Sequence, residues 1–170
     1  MTRRDILIKW LVYALALLPV LILTLYIFPR FPILGTVPTL LPVAAIVVAV
    51  LEGPAGGAGF GLYVGILSDA LIPGTPGTMT LALCVLGACF GAAARYGVRQ
   101  NLFGCLICCT GGLVVIDLLR VLFLWLGDTA GLLPLLFTAV AEILLSLVFL
   151  PLVYGIFLWV YRRVPKATVL

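Results

Sequence analysis

The sequence contains no histidine and little charge: 10 Lys and Arg with 6 Asp and Glu among 170 residues, or 9%. Ordinary soluble domains carry about 25% charged residues, and a globule of this size needs charge to cover its surface. The shortage excludes a soluble enzyme and a disordered chain. The missing histidine removes the commonest general base and the commonest metal ligand. Cysteine is sparse and odd in number, with Cys84, Cys89, Cys105, Cys108 and Cys109 all in apolar runs, which excludes the disulfide framework of a secreted scaffold. Cys105 and Cys108 form a Cys-x-x-Cys, but with no second such pair and no acid nearby they read as small packing residues. No metal and no cofactor is expected.

What is present is apolar, 65% of the chain. A helix needs about 20 apolar residues to cross about 30 Å of hydrocarbon. Six such stretches are expected, over 10–28, 33–51, 54–71, 78–94, 102–126 and 132–161, in one membrane domain spanning residues 1–170. The first is too long for a signal-peptide apolar region and has no small-residue cleavage site after it, so it reads as an anchor. Glu52-Gly53-Pro54 is the only break between the second and third, which are either separate helices or one bent hairpin. Pro38 and Pro42 are expected to kink the second. The fold class is an all-α integral membrane protein, a bundle of six transmembrane helices.

With the N-terminus inside, eight of the ten basic residues fall on one side: Arg3, Arg4, Lys9, Arg95, Arg99, Arg162, Arg163 and Lys166. Positive charge is retained in the cytoplasm, so both termini are expected there. Trp10, Tyr96, Trp125, Trp159 and Tyr161 fall at the expected span ends, where interfacial aromatics belong. The net charge of +4 follows from this bias and from contact with anionic lipid head groups; no nucleic-acid partner is implied. Arg30 and Asp128 read as solvated loop residues.

Gly53, Gly57, Gly61, Gly65 and Asp69 recur every four residues, one slowly winding stripe on a helix. Glycine costs about 1 kcal/mol per helical position relative to alanine, and in lipid the return is close backbone approach. The stripe serves either packing inside the bundle or a groove for a partner's transmembrane helix. Asp69 either organises the following turn, by accepting from an N–H around Gly74 to Gly77, or takes part in binding.

The run from Gly61 to Leu83 resembles the signature of the MreD rod-shape-determining family: two glycines four apart, an Asp four further on, a glycine-containing turn, and a Leu-rich helix with small residues. The matching positions are Gly61, Gly65, Asp69, Gly74, Gly77, Leu81 and Ala82; Pro73 and Pro76 in the turn depart from the pattern. The resemblance implies a non-catalytic scaffold or coupling subunit of the bacterial cell-elongation (peptidoglycan synthesis) machinery in the inner membrane. It implies binding to an MreC-like single-span protein, beside the MreB filament, a RodA-type polymerase and its transpeptidase. The family also shares its implied six-helix fold with the S components of energy-coupling-factor vitamin transporters, which gives the alternative: a substrate-binding transporter subunit. A third option is a homo-oligomer that associates through its glycine face.

Asp117 and Arg120 lie three apart on the fifth span and share a face, and Glu142 lies about ten residues into the sixth. Charges inside a membrane persist by pairing, so Arg120 is expected to be shared between the two acids. The cluster is either a clamp between the two spans or the lining of a polar cavity. Ser68 and Ser146 have no histidine to activate them, and no His-Glu-x-x-His or Gly-x-Ser-x-Gly motif occurs. No catalytic activity is expected.

Overall fold

Leu40–Glu52 is a helix of thirteen residues in which every side chain from Leu40 to Leu51 is buried. Apolar on all sides, it has no face suited to water, and such a helix belongs in the middle of a bundle. The computed structural model describes residues 3–30, 39–71, 77–96, 102–126 and 132–163. Among the described residues the regular structure is entirely helical: α1 (Arg3–Ile22), α2 (Leu40–Glu52), α3 (Pro54–Leu71), α4 (Thr78–Tyr96), α5 (Leu102–Leu126) and α6 (Leu132–Arg163). α1, α3, α4, α5 and α6 all pack against α2.

Among the described residues four helices are long and apolar enough to cross a membrane, over Ile8–Ile27, Thr78–Arg95, Leu102–Leu122 and Leu136–Arg163. Neither α2 nor α3 is among them. At 1.5 Å per residue α2 is about 20 Å long, short of the hydrocarbon thickness; of the span expected over 33–51 it covers the part from Leu40, and residues 33–38, with Pro38, lie outside the described residues. Pro42 does not kink it. It is the third residue of α2, where the backbone N–H has no intrahelical acceptor to lose.

α2 and α3 are separate helices joined by one residue. Gly53 has φ +87° and ψ −173°, a conformation open almost only to glycine, and Pro54 begins α3 where its fixed φ is already helical. α3 and α4 then form an antiparallel pair, the most closely packed among the described helices. A Cβ at Gly57 would strike the Gly87 carbonyl, one at Gly61 the Leu83 carbonyl, and one at Gly65 would lie 2.5 Å from Thr80 Cα.

α1 is attached more lightly. Tyr13, Leu17 and Val20 turn inward, while Ile8, Leu11, Leu15, Leu18 and Ile22 are exposed. Pro19 interrupts its hydrogen bonding, and Thr24 Oγ1 donates to the Val20 carbonyl at 2.8 Å. A π-helical turn over Leu23–Ile27 follows, closed by the Phe28 N–H on the Leu23 carbonyl; a proline with a side chain competing for a carbonyl is a known cause of such slips.

On α6 the buried residues are Glu142, Ser146, Leu150, Val153, Tyr154, Phe157 and Val160. Their spacing of three and four defines one inward face. The opposite face exposes Phe137, Leu144, Val148, Leu152 and Trp159, a load of apolar surface that water does not tolerate. Arg163 lies 4.5 Å over the Trp159 ring.

The chain ends sort by contact. Lys9 meets Glu52, Gly91 meets Gly53, and Tyr13 stacks on Phe157 with centroids 6.2 Å apart. Lys9, Arg95, Arg162 and the Gly53 corner therefore gather at one end. At the other end Phe28 meets Phe149, Thr39 meets Ser146 and Arg120 meets Glu142.

Candidate functional site

Three polar constellations interrupt the apolar interior. The first ties α3 to α4. Asp69, two residues before the end of α3, accepts at Oδ2 from the Thr80 backbone N–H at 3.0 Å and from Thr80 Oγ1 at 2.6 Å. Thr80 lies in the first turn of α4, whose N–H groups lack helical acceptors and carry the positive end of the helix dipole. The carboxylate thus caps a neighbouring helix. Among the described residues the N–H it takes is that of Thr80, because the antiparallel register of α3 and α4 puts Thr80 opposite Gly65 and Asp69. Gly77, exposed with φ +82°, supplies the carbonyl that accepts from Leu81 N–H at 3.2 Å; Gly74 lies outside the described residues.

The glycine stripe is used inside the chain. Gly57, Gly61 and Gly65 are buried and face α4, with Gly57 also against Ala49 of α2. Those three positions are covered by α4, so of the two readings of the stripe it is packing inside the bundle that they serve. α4 carries the matching half, Gly87 and Gly91, whose Cβ atoms would strike Gly57 and Gly53. These two glycines went unremarked in the sequence although their own spacing of four was there to be read.

The second constellation is the α5–α6 cluster. Arg120 Nη1 donates to Glu142 Oε2 at 3.3 Å. Asp117 is buried with its Oδ2 unpartnered among the described residues, and no ion pair joins it to Arg120 there. Of the expected sharing of Arg120, the contact with Glu142 is present and no ion pair with Asp117 is seen among the described residues: Asp117 is buried, while the Arg120 side chain is about half exposed and is met there by Glu142 from α6. Behind Glu142, Ser146 Oγ donates to the Glu142 carbonyl at 2.7 Å and accepts the Thr39 N–H at 3.1 Å. The start of α2 is thereby fastened to α6.

The third constellation was treated in the sequence only as a break and a basic flank. Glu52 ends α2, pairs with Lys9, and accepts Tyr13 Oη at 2.6 Å. Beside it Tyr13, Phe60 and Phe157 form an aromatic cluster, with Trp10 packed on Phe60. Trp10, Ala14, Gly59, Phe60 and Tyr63 line a shallow apolar groove of about 310 Å³ between α1 and α3.

Cys105, Cys108 and Cys109 are buried on α5, and among the described residues no group of His, Cys, Asp and Glu is arranged to hold a metal. The fold and these clusters define an all-helical bundle with membrane-length helices, its polar groups spent mainly on joining helix to helix. Searches against known protein families, curated proteins and solved structures return no match.

Proposed function

We propose that this chain is a six-span, non-catalytic subunit of the bacterial cell-elongation machinery, seated in the cytoplasmic membrane with both termini inside. It acts as a scaffold of MreD type that binds a single-span protein of MreC type. The observation that carries the reading is the α3–α4 pair: Gly61, Gly65 and Asp69, the spaced residues of the resemblance, act together against Leu83 and Thr80. A motif whose members share one structural task is a motif of the fold rather than a chance spacing of small residues.

The topology has its own support. Lys9, Arg95 and Arg162 gather at one end, with Arg30 and the Glu142-paired Arg120 toward the other, the bias that retention of positive charge in the cytoplasm favours. α2 and α3 then cross as a pair, with α2 shielded by its neighbours and needing no lipid-facing length. With the stripe occupied by α4, a partner helix has the exposed faces of α1, α3, α5 and α6 to dock on.

The test is affinity capture of the tagged, folded protein from its host membrane. A single-span protein of the elongation machinery is the expected catch, and its absence from intact material overturns the reading. Cysteines placed at Arg95 and Arg162 are expected to react with an impermeant maleimide from the same, cytoplasmic side. A large thermal stabilisation by one member of a vitamin panel would instead make the chain a transporter S component.

A further inference from the structure

Arg120 stands on α5 six residues before its end at Leu126, about 9 Å along the axis. Its side chain is 47% exposed. The other large exposed side chains on this part of α5 and on the facing part of α6 include Leu119, Leu122, Phe137 and Val140. In a chain that lies in lipid, a guanidinium on such a surface faces hydrocarbon unless a polar group meets it. Among the described residues Glu142 meets it from one side, at Nη1, and the guanidinium carries five N–H donors in a planar fork. Glu142 is itself buried, with Ser146 and Thr39 behind it, so it holds the guanidinium from within. The flexible stem lets the charged head rise toward the membrane surface.

The anion that a bilayer offers there is phosphate, and the guanidinium fork matches its oxygens in geometry and charge. We propose that Arg120 is the centre of a phospholipid site on the α5–α6 seam. The lipid phosphate accepts from the outward N–H groups while the acyl chains lie along Leu119, Leu122 and Phe137. Glu142 is the positioning residue, fixing the direction of the fork. The site requires only that the chain lie in a membrane and is independent of the elongation reading.

The full chain, purified in detergent, is titrated by native mass spectrometry with phosphatidylglycerol, with diacylglycerol of the same chains, and with inorganic phosphate. Phosphatidylglycerol is expected to bind at least about tenfold more tightly than diacylglycerol, the yield of a charge-assisted hydrogen bond. Millimolar inorganic phosphate is expected not to displace it. Arg120→Gln is expected to remove the preference, Arg120→Lys to keep part of it, and Arg30→Gln to leave it intact. Equal binding of the two lipids by the unaltered protein overturns the proposal, and that comparison needs no variant to fold. Displacement by inorganic phosphate, an unchanged Arg120→Gln, or an equal loss in Arg30→Gln overturns it as well. A photo-crosslinking residue at Leu122 in native membrane is expected to capture phospholipid; capture of a protein helix in its place is a contrary result.

Discussion

Lys9 near the start of α1 is ion-paired with Glu52 at the end of α2, and Tyr13, one turn further along α1, donates to the same carboxylate at 2.6 Å. The pair is mostly buried, with 12% and 10% of the two side chains exposed. It joins the most lightly packed helix to the most buried one. Glu52 also stands at the negative end of the α2 dipole, where a carboxylate is unfavourable unless a cation meets it.

Removing one partner is therefore costlier than removing both. Glu52→Leu leaves the Lys9 ammonium uncompensated and is expected to cost about 3–5 kcal/mol, read as a lowered thermal midpoint in detergent. Lys9→Met combined with Glu52→Leu is expected to recover most of the loss. A double variant as unstable as the single one would mean that the ammonium bears no uncompensated cost.

The helical glycines divide into those that a methyl group disrupts and those that it leaves alone. Gly61→Ala drives a Cβ into the Leu83 backbone and is expected to destabilise by about 1–3 kcal/mol, the cost of overpacking. At Gly59 the nearest obstacle is the Trp10 ring at 3.9 Å, and at Gly155 nothing lies within 4 Å. Gly59→Ala and Gly155→Ala are expected to be neutral or to gain up to about 1 kcal/mol from helix propensity. Thermal midpoints of the three variants in one detergent check the order.

Asp69→Ala removes a cap from α4 and is expected to cost about 1 kcal/mol. Asp69→Asn keeps an acceptor oxygen and should lose less. Thr80→Val deletes the hydroxyl hydrogen bond while leaving the backbone one, so its cost should fall below that of Asp69→Ala. Hydrogen exchange of the first turn of α4 reads the effect directly, with faster exchange in the order Asn, Val, Ala.

Ser146 is fully buried and bridges two helices. Ser146→Ala leaves the Thr39 N–H without its acceptor, which is expected to cost about 1–3 kcal/mol. Exchange at Thr39 should accelerate far more than exchange within α3. Equal acceleration in both would point to general loosening rather than a released helix start.

Several features could be read from local pattern alone. The break at Gly53-Pro54, the start of α4 at Thr78 and the start of α5 at Leu102 follow from glycine, proline and charge along the chain. That Gly57, Gly61 and Gly65 share a face follows from helical period. The identity of the facing surface does not, because Gly87 and Leu83 become neighbours only through the antiparallel register of α3 and α4. Depth along the fifth and sixth spans pointed to both Asp117 and Glu142 as partners of Arg120, and only the packing of α5 on α6 decided that Glu142 is the one that reaches it. Glu52 had no local signal at all, since its partners Lys9 and Tyr13 lie about forty residues earlier.

Composition and period determined that this is an apolar, all-helical chain with membrane-length segments, because those properties depend on each residue's own chemistry and on 3.6 residues per turn. Tertiary structure decided that α2 is a short core helix rather than one more lipid-facing span. An apolar side chain is as acceptable against lipid as against another helix, so hydropathy cannot tell the two apart. Only the packing of five neighbours around Leu40–Glu52 separates them.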